Sequence, residues 1–136
     1  MSEPATRDKF RLGLTISNFA CTPEDITALL ELEPTSLSAL RTKSRVPFWR
    51  AVSPVDPIGS DVEAQWRGFR LLLLPLTAKL KALSANATLE MDLGVISYDQ
   101  HSGMRFPPDL VGFAAEINAA LDIDLYCLKD AEQDRS

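Results

Sequence analysis

Three stretches of the chain alternate apolar and polar residues with a period of two. Phe10, Leu12, Leu14 and Ile16 alternate with Arg11, Gly13, Thr15 and Ser17. Leu89, Met91, Leu93 and Val95 alternate with Thr88, Glu90, Asp92 and Gly94, and Ile123, Leu125 and Cys127 alternate with Asp122, Asp124 and Tyr126. That period puts apolar side chains on one face of a strand and polar ones on the other. A fourth strand is predicted at "VPFWRAVS", residues 46 to 53, which is rich in aromatic and branched residues; Pro47 places it at a strand start or an edge.

Helical spacing lies between these strands. Thr22 is a good N-cap, Pro23 suits the first helical position, and Glu24 and Asp25 face the positive end of the helix dipole. Asp25 stands where a capping box places its acid, and Cys21 and Ile26 hold the positions of a hydrophobic staple. Ile26, Leu29 and Leu30 continue the apolar face, which predicts a helix over 22 to 31. Ser60 and Glu63 form a second capping box. Val62, Trp66, Phe69, Leu73, Leu76, Leu80 and Leu83 then recur at steps of four and three. Pro75 interrupts this stripe without shifting its phase, so two helical segments broken near Leu74 should pack on one core. Pro108 and Asp109 open a third helix with Leu110, Phe113, Ile117 and Leu121 on one face. Residues 32 to 45 show no period and read as loop.

Alternation of strands and helices alone would favour a parallel sheet covered on both faces. Strands buried on both faces read as continuous apolar runs, and these alternate instead. The expected fold is therefore α+β, with about four mostly antiparallel strands and the helices packed on one face. A ferredoxin-like βαββαβ plan, with the long helical segment inserted, fits this order. One domain over 9 to 129 is expected, between flexible tails at 1 to 8 and 130 to 136.

Composition narrows the function classes. The 136 residues carry a net charge of −5 with a pI near 4.8, which argues against nucleic acid and anionic membrane as partners and permits a basic one. The longest apolar run, "LLLLPL" at 71 to 76, is too short for a membrane span, and "MSEPATRDK" has no signal-peptide character. Cys21 and Cys127 stand apart, as free thiols in a reducing cytoplasm would, and they should lie at opposite ends of the sheet.

Motifs for catalysis are weak. His101 is the single histidine, in "DQHSGM" with Asp99 and Ser102, and three neighbours on one loop rarely converge as a catalytic set. The glycines are scattered, without a phosphate-binding loop. Arg67 and Arg70 could bind an anion or simply be solvated. No catalytic residue, cofactor or metal ligand is assigned. The better hint is the outward sheet face, which should carry Glu90, Asp92, Asp122, Asp124 and Tyr126, partly offset by Arg11. Trp49 and Arg50 are further candidates, because one of Phe48 and Trp49 must face outward.

The stretches "RLGLTISNFACTPEDITALLELEPT", "PFWRAVS" and "PPDLVGFAAEINAALDIDLY" resemble a family of small bacterial proteins known as domain of unknown function forty-two seventy-nine. In that family a strand leads into a capped helix and an E-P-T turn. An aromatic strand, a long helix and a closing strand follow. This chain departs in its middle loop, where "SALRTKSRVP" stands in place of a glycine-rich stretch. The resemblance implies no activity, cofactor or site residues. The functional expectation is a non-catalytic protein-binding module that meets a basic protein on its acidic sheet face, by analogy with immunity-type proteins. The alternative is a small-molecule binder or enzyme with a pocket between the helices and the 32 to 45 loop. A homodimer is compatible with either.

Overall fold

Five strands form one sheet in the computed structural model, which describes residues 8–38, 47–98 and 104–128. In chain order the elements are β1 (Lys9–Ser17), α1 (Pro23–Leu30), β2 (Ser36–Ser38), β3 (Phe48–Val52), α2 (Val62–Leu73), a single 3-10 turn (Leu74–Leu76), α3 (Thr77–Leu83), β4 (Thr88–Ser97), α4 (Pro108–Glu116) and β5 (Ala120–Cys127). The sheet order is β2-β3-β1-β4-β5.

Three expectations change. The loop at 32 to 45 contributes a short edge strand, β2, which pairs antiparallel with β3. The sheet is mixed, because β4 and β5 run parallel. The strand order also departs from the ferredoxin-like plan. That plan separates its helix-linked strands by one other strand. Here β1 and β3 are direct antiparallel neighbours although α1 joins them, and α4 joins the adjacent strands β4 and β5. The split crossover is instead β3-α2-α3-β4. Those two strands run parallel with β1 between them, since each is antiparallel to β1. Alternation gives the buried face of each strand but not its neighbour, so this order was not readable from period alone.

The core lies on one face. Phe10, Leu12, Leu14 and Ile16 of β1 stand in register with Val95, Leu93, Met91 and Leu89 of β4, and all are buried. Trp49 and Ala51 extend the layer on β3, and Val62, Trp66, Phe69, Leu73 and Leu80 cover it from α2 and α3. Pro75 sits in the 3-10 turn that separates the two helices, as its missing N–H requires, and both segments bury the same stripe. The N-cap of α2 is Asp61, which accepts from the Ala64 N–H, and not Ser60. The third helix stops at Glu116. Asn118 turns the chain with φ of 59°, so Leu121 lies on β5 and not on the helix.

At α1 the capping box is complete. Thr22 Oγ1 accepts from the Asp25 N–H at 3.2 Å, and Asp25 Oδ2 accepts from the Thr22 N–H at 3.1 Å. Thr22→Ala is expected to destabilise the fold by about 1 kcal/mol, read as a shift in the urea midpoint with unchanged slope. An unchanged midpoint would show that water replaces the cap without loss.

The start of α4 is tied to α2 through Asp109, which accepts from Trp66 Nε1 at 3.0 Å and from Arg70 Nη1 at 2.8 Å. The indole hydrogen bond first, and the Arg70 contact after it, hold its carboxyl below the usual 3.8. A depressed carboxylate contributes stability that is complete above its unfolded value and is lost as pH falls through the folded one. Asp109→Asn should therefore flatten the loss of stability below about pH 4 relative to the parent, measured by urea melts across pH 2 to 6. Parallel pH profiles for the two proteins would refute the coupling.

Candidate functional site

The face of the sheet opposite the helices carries the polar half of each alternation. Register sets its rows. Arg50, Thr15, Glu90 and Ala120 lie in one row across β3, β1, β4 and β5; Val52, Gly13, Asp92 and Asp122 lie in the next. Arg11, Gly94 and Asp124 follow, then Lys9, Ile96 and Tyr126. Six of the seven residues read from the sequence as candidates thus share this face. Trp49 does not. It is fully buried on the helix side, and its indole N–H donates to Thr27 Oγ1 at 3.0 Å. Phe48 takes the outward position and is half-buried. The alternation fixed that one of the pair faces in, but only the packing of α1 on β3 decides which.

The outward charges are polarised. Lys9, Arg11 and Arg50 occupy the β1 and β3 side, while Glu90, Asp122 and Asp124 occupy the β4 and β5 side. Asp92 joins the two halves. One of its oxygens pairs with Arg50, and the other accepts from Thr15 Oγ1 at 2.7 Å. The Arg50 side chain reaches Asp92 across β1 directly over Gly13. A Cβ there would lie 2.7 Å from Arg50 Nη2 and 3.0 Å from Asp92 Oδ1, so glycine is what allows the approach. Asp92 and Arg50 are consequently spent on each other. The acidic character of the face narrows to Glu90, Asp122 and Asp124 along the β5 side. Arg50 and Lys9 join Arg11 in opposing that acidity, which only the strand register shows.

Other candidates resolve differently. Arg67 pairs with Glu63 at 3.6 Å and Arg70 with Asp109, so both compete poorly for an anion. His101, Asp99 and Ser102 lie outside the described residues, as does half of the expected pocket wall at 32 to 45, from 39 onward. A cleft of about 650 Å³ is wide open and lined by Asn18, Phe19, Ala20, Cys21, Leu83, Asn86 and Ala87. Among the described residues it holds no charged side chain that could orient a ligand. Cys21 and Cys127 are free and exposed, and they lie toward opposite ends of the sheet, beyond β1 and beside Ser97. No group of three or more His, Cys, Asp or Glu among the described residues is placed to hold a metal. No helix among them is long and apolar enough to cross a membrane.

The apolar side of β5 has no cover that local sequence would reveal. Leu121, Ile123 and Leu125 of β5 stand in parallel register with Met91, Leu93 and Val95 of β4. The β4 residues are 1%, 1% and 0% exposed, whereas their β5 neighbours are 42%, 43% and 47% exposed. The helical layer therefore ends before the sheet does. Alternation announces a buried face, and nothing local to β5 signals that the cover stops one strand short.

Comparison with curated proteins and with solved structures finds no match. The sequence profile of a domain of unknown function, DUF4279, matches residues 8–128, which spans every strand and helix described above. The chain is a member of the DUF4279 family, and its elements are that family's domain.

Proposed function

We propose that the protein is a non-catalytic binding module that takes up an extended, basic segment of a partner protein along β5. The observation that carries this reading is the uncovered apolar strip Leu121, Ile123 and Leu125 on an eight-residue edge strand. An edge strand presents unpaired N–H and C=O groups that template another strand. The opposite edge, β2, has only three residues and offers little to pair with. An added strand would extend the sheet past β5. Its apolar side chains would continue the core layer over Leu121, Ile123 and Leu125. Its alternate side chains would stand beside Asp122 and Asp124, which selects lysine or arginine there.

The same carboxylates disfavour a second copy of this chain. Antiparallel self-pairing centred on Ile123 sets Asp122 against Asp124 of the second copy, and pairing centred on Asp124 sets that residue against itself. Charge on an edge is a familiar guard against self-association, and here it doubles as a selector for a basic strand.

The test uses the full chain and two synthetic peptides, one alternating lysine with valine and one alternating glutamate with valine. The lysine peptide should shift the backbone amide resonances of 120 to 127 and slow their hydrogen exchange, and the glutamate peptide should do neither. Equal binding of both peptides, or shifts centred away from β5, would remove the reading.

A further inference from the structure

A second feature of the open face lies over β1 and β4, beside the Tyr126 side chain of β5. A groove of about 260 Å³ runs over Gly94, lined by Lys9, Arg11, Pro57, Val95, Ile96 and Tyr126. We propose that this groove binds a small planar organic carboxylate, with its flat body on Gly94 beside the Tyr126 ring and its carboxylate between Lys9 and Arg11.

Three observations support the assignment. First, the cations on this wall are available. Arg50, Arg67, Arg70, Lys79 and Lys81 each hold a carboxylate at ion-pair distance, whereas Lys9 and Arg11 hold none among the described residues. Being two residues apart on one strand, they point to the same face.

Second, the floor is open by composition and not by packing need. A Cβ at Gly94 would meet nothing closer than the Arg11 carbonyl oxygen at 4.0 Å, so the fold tolerates a side chain there. Its absence leaves a flat backbone floor between the side chains of β1 and β5. Gly13, one row away, is the contrasting case, since its space is already taken by Arg50.

Third, the end wall is fixed. The Phe10 N–H donates to the Pro57 carbonyl at 3.1 Å, and Lys9 bridges Ile58 in the same segment. Pro57 is thereby held against the sheet, so the groove does not have to form on binding.

Size and lining choose the ligand class. The volume falls just under the roughly 300 Å³ at which small-molecule sites begin, which suits a body of one or two rings better than a nucleotide. Pro57, Ile96 and the Tyr126 ring offer apolar contact, which a bare inorganic anion cannot use. A flat carboxylate of one or two rings uses both the apolar floor and the paired cations.

The probe is 2-naphthoate, titrated into the isotope-labelled full chain and followed by amide chemical shifts. Saturable shifts at Gly94, Val95, Ile96 and Tyr126 are expected, at least about tenfold weaker for the neutral 2-naphthylmethanol and for inorganic phosphate. Gly94→Val should abolish the shifts at unchanged melting temperature, and Lys9→Gln with Arg11→Gln should erase the preference for the acid over the alcohol. Equal binding of acid and alcohol, or undiminished binding in Gly94→Val, would overturn the proposal. Because no peptide enters this experiment, its outcome stands apart from that of the β5 test.

Discussion

Gln65→Met is expected to lower stability by about 3 kcal/mol and the melting temperature by about 10 °C, although Gln65 is neither apolar nor charged. Gln65 lies on α2 facing the sheet and is fully buried. Its Oε1 accepts from the Leu12 N–H at 3.0 Å, and its Nε2 donates to the Val55 carbonyl at 3.0 Å. The reason is the end of β3. Pairing with β1 runs only as far as Val52 opposite Gly13, and Ser53 N–H then donates to the Leu12 carbonyl at 2.8 Å before the chain turns away. The Leu12 N–H has lost its ladder partner there, and the Gln65 amide takes that place.

Methionine fills a similar volume, so the substitution isolates the hydrogen bonds of the amide, which also include a longer one to Ser60 Oγ at 3.3 Å, from the packing. It leaves a buried N–H and a carbonyl unpaired, each costing about 1–3 kcal/mol. The measurement is a pair of urea melts, supported by amide exchange at Leu12, which should accelerate in the variant. A variant as stable as the parent would mean that water enters and satisfies both groups.

Gln65 also shows where a sequence stops being readable. The stripe Val62, Trp66, Phe69, Leu73 gives the buried face of α2, and a glutamine inside that face looks like an interruption. Its role depends on β3 ending one residue early, a long-range fact with no local signature. The same division runs through the fold. The buried faces of β1 and β4, the cap at Thr22 and the break at Pro75 follow from local spacing, and the structure reproduces them, whereas the face of β3 and the missing cover over β5 do not. Strand order and the parallel β4–β5 pair depend on how the crossovers pack, which local periodicity leaves undetermined. The candidate surface divides likewise. Asp122, Asp124 and Tyr126 were placed outward by alternation alone, whereas the neutralisation of Asp92 by Arg50 required the β3–β1–β4 register.

Charge reversal on β5 should exchange the partner preference of the protein. In Asp122→Lys with Asp124→Lys, the local charge changes by about four, two for each carboxylate replaced by an ammonium. Both residues are exposed and neither takes part in an ion pair among the described residues, so stability should stay within about 0.5 kcal/mol of the parent. Association with the lysine–valine peptide should slow by about tenfold or more at low salt, because steering by opposite charge becomes repulsion. The glutamate–valine peptide should gain by a similar factor. Raising the salt should weaken the parent's binding of the lysine peptide and weaken the variant's binding of the glutamate peptide, since screening acts on whichever pair attracts. The apolar strip Leu121, Ile123 and Leu125 is untouched in the variant, so dissociation should change less than association. Stopped-flow rates at two salt concentrations for both proteins and both peptides decide the matter. If the lysine peptide binds both proteins at one rate, the carboxylates of β5 are only solvated, and the strip beside them selects its partner by shape alone.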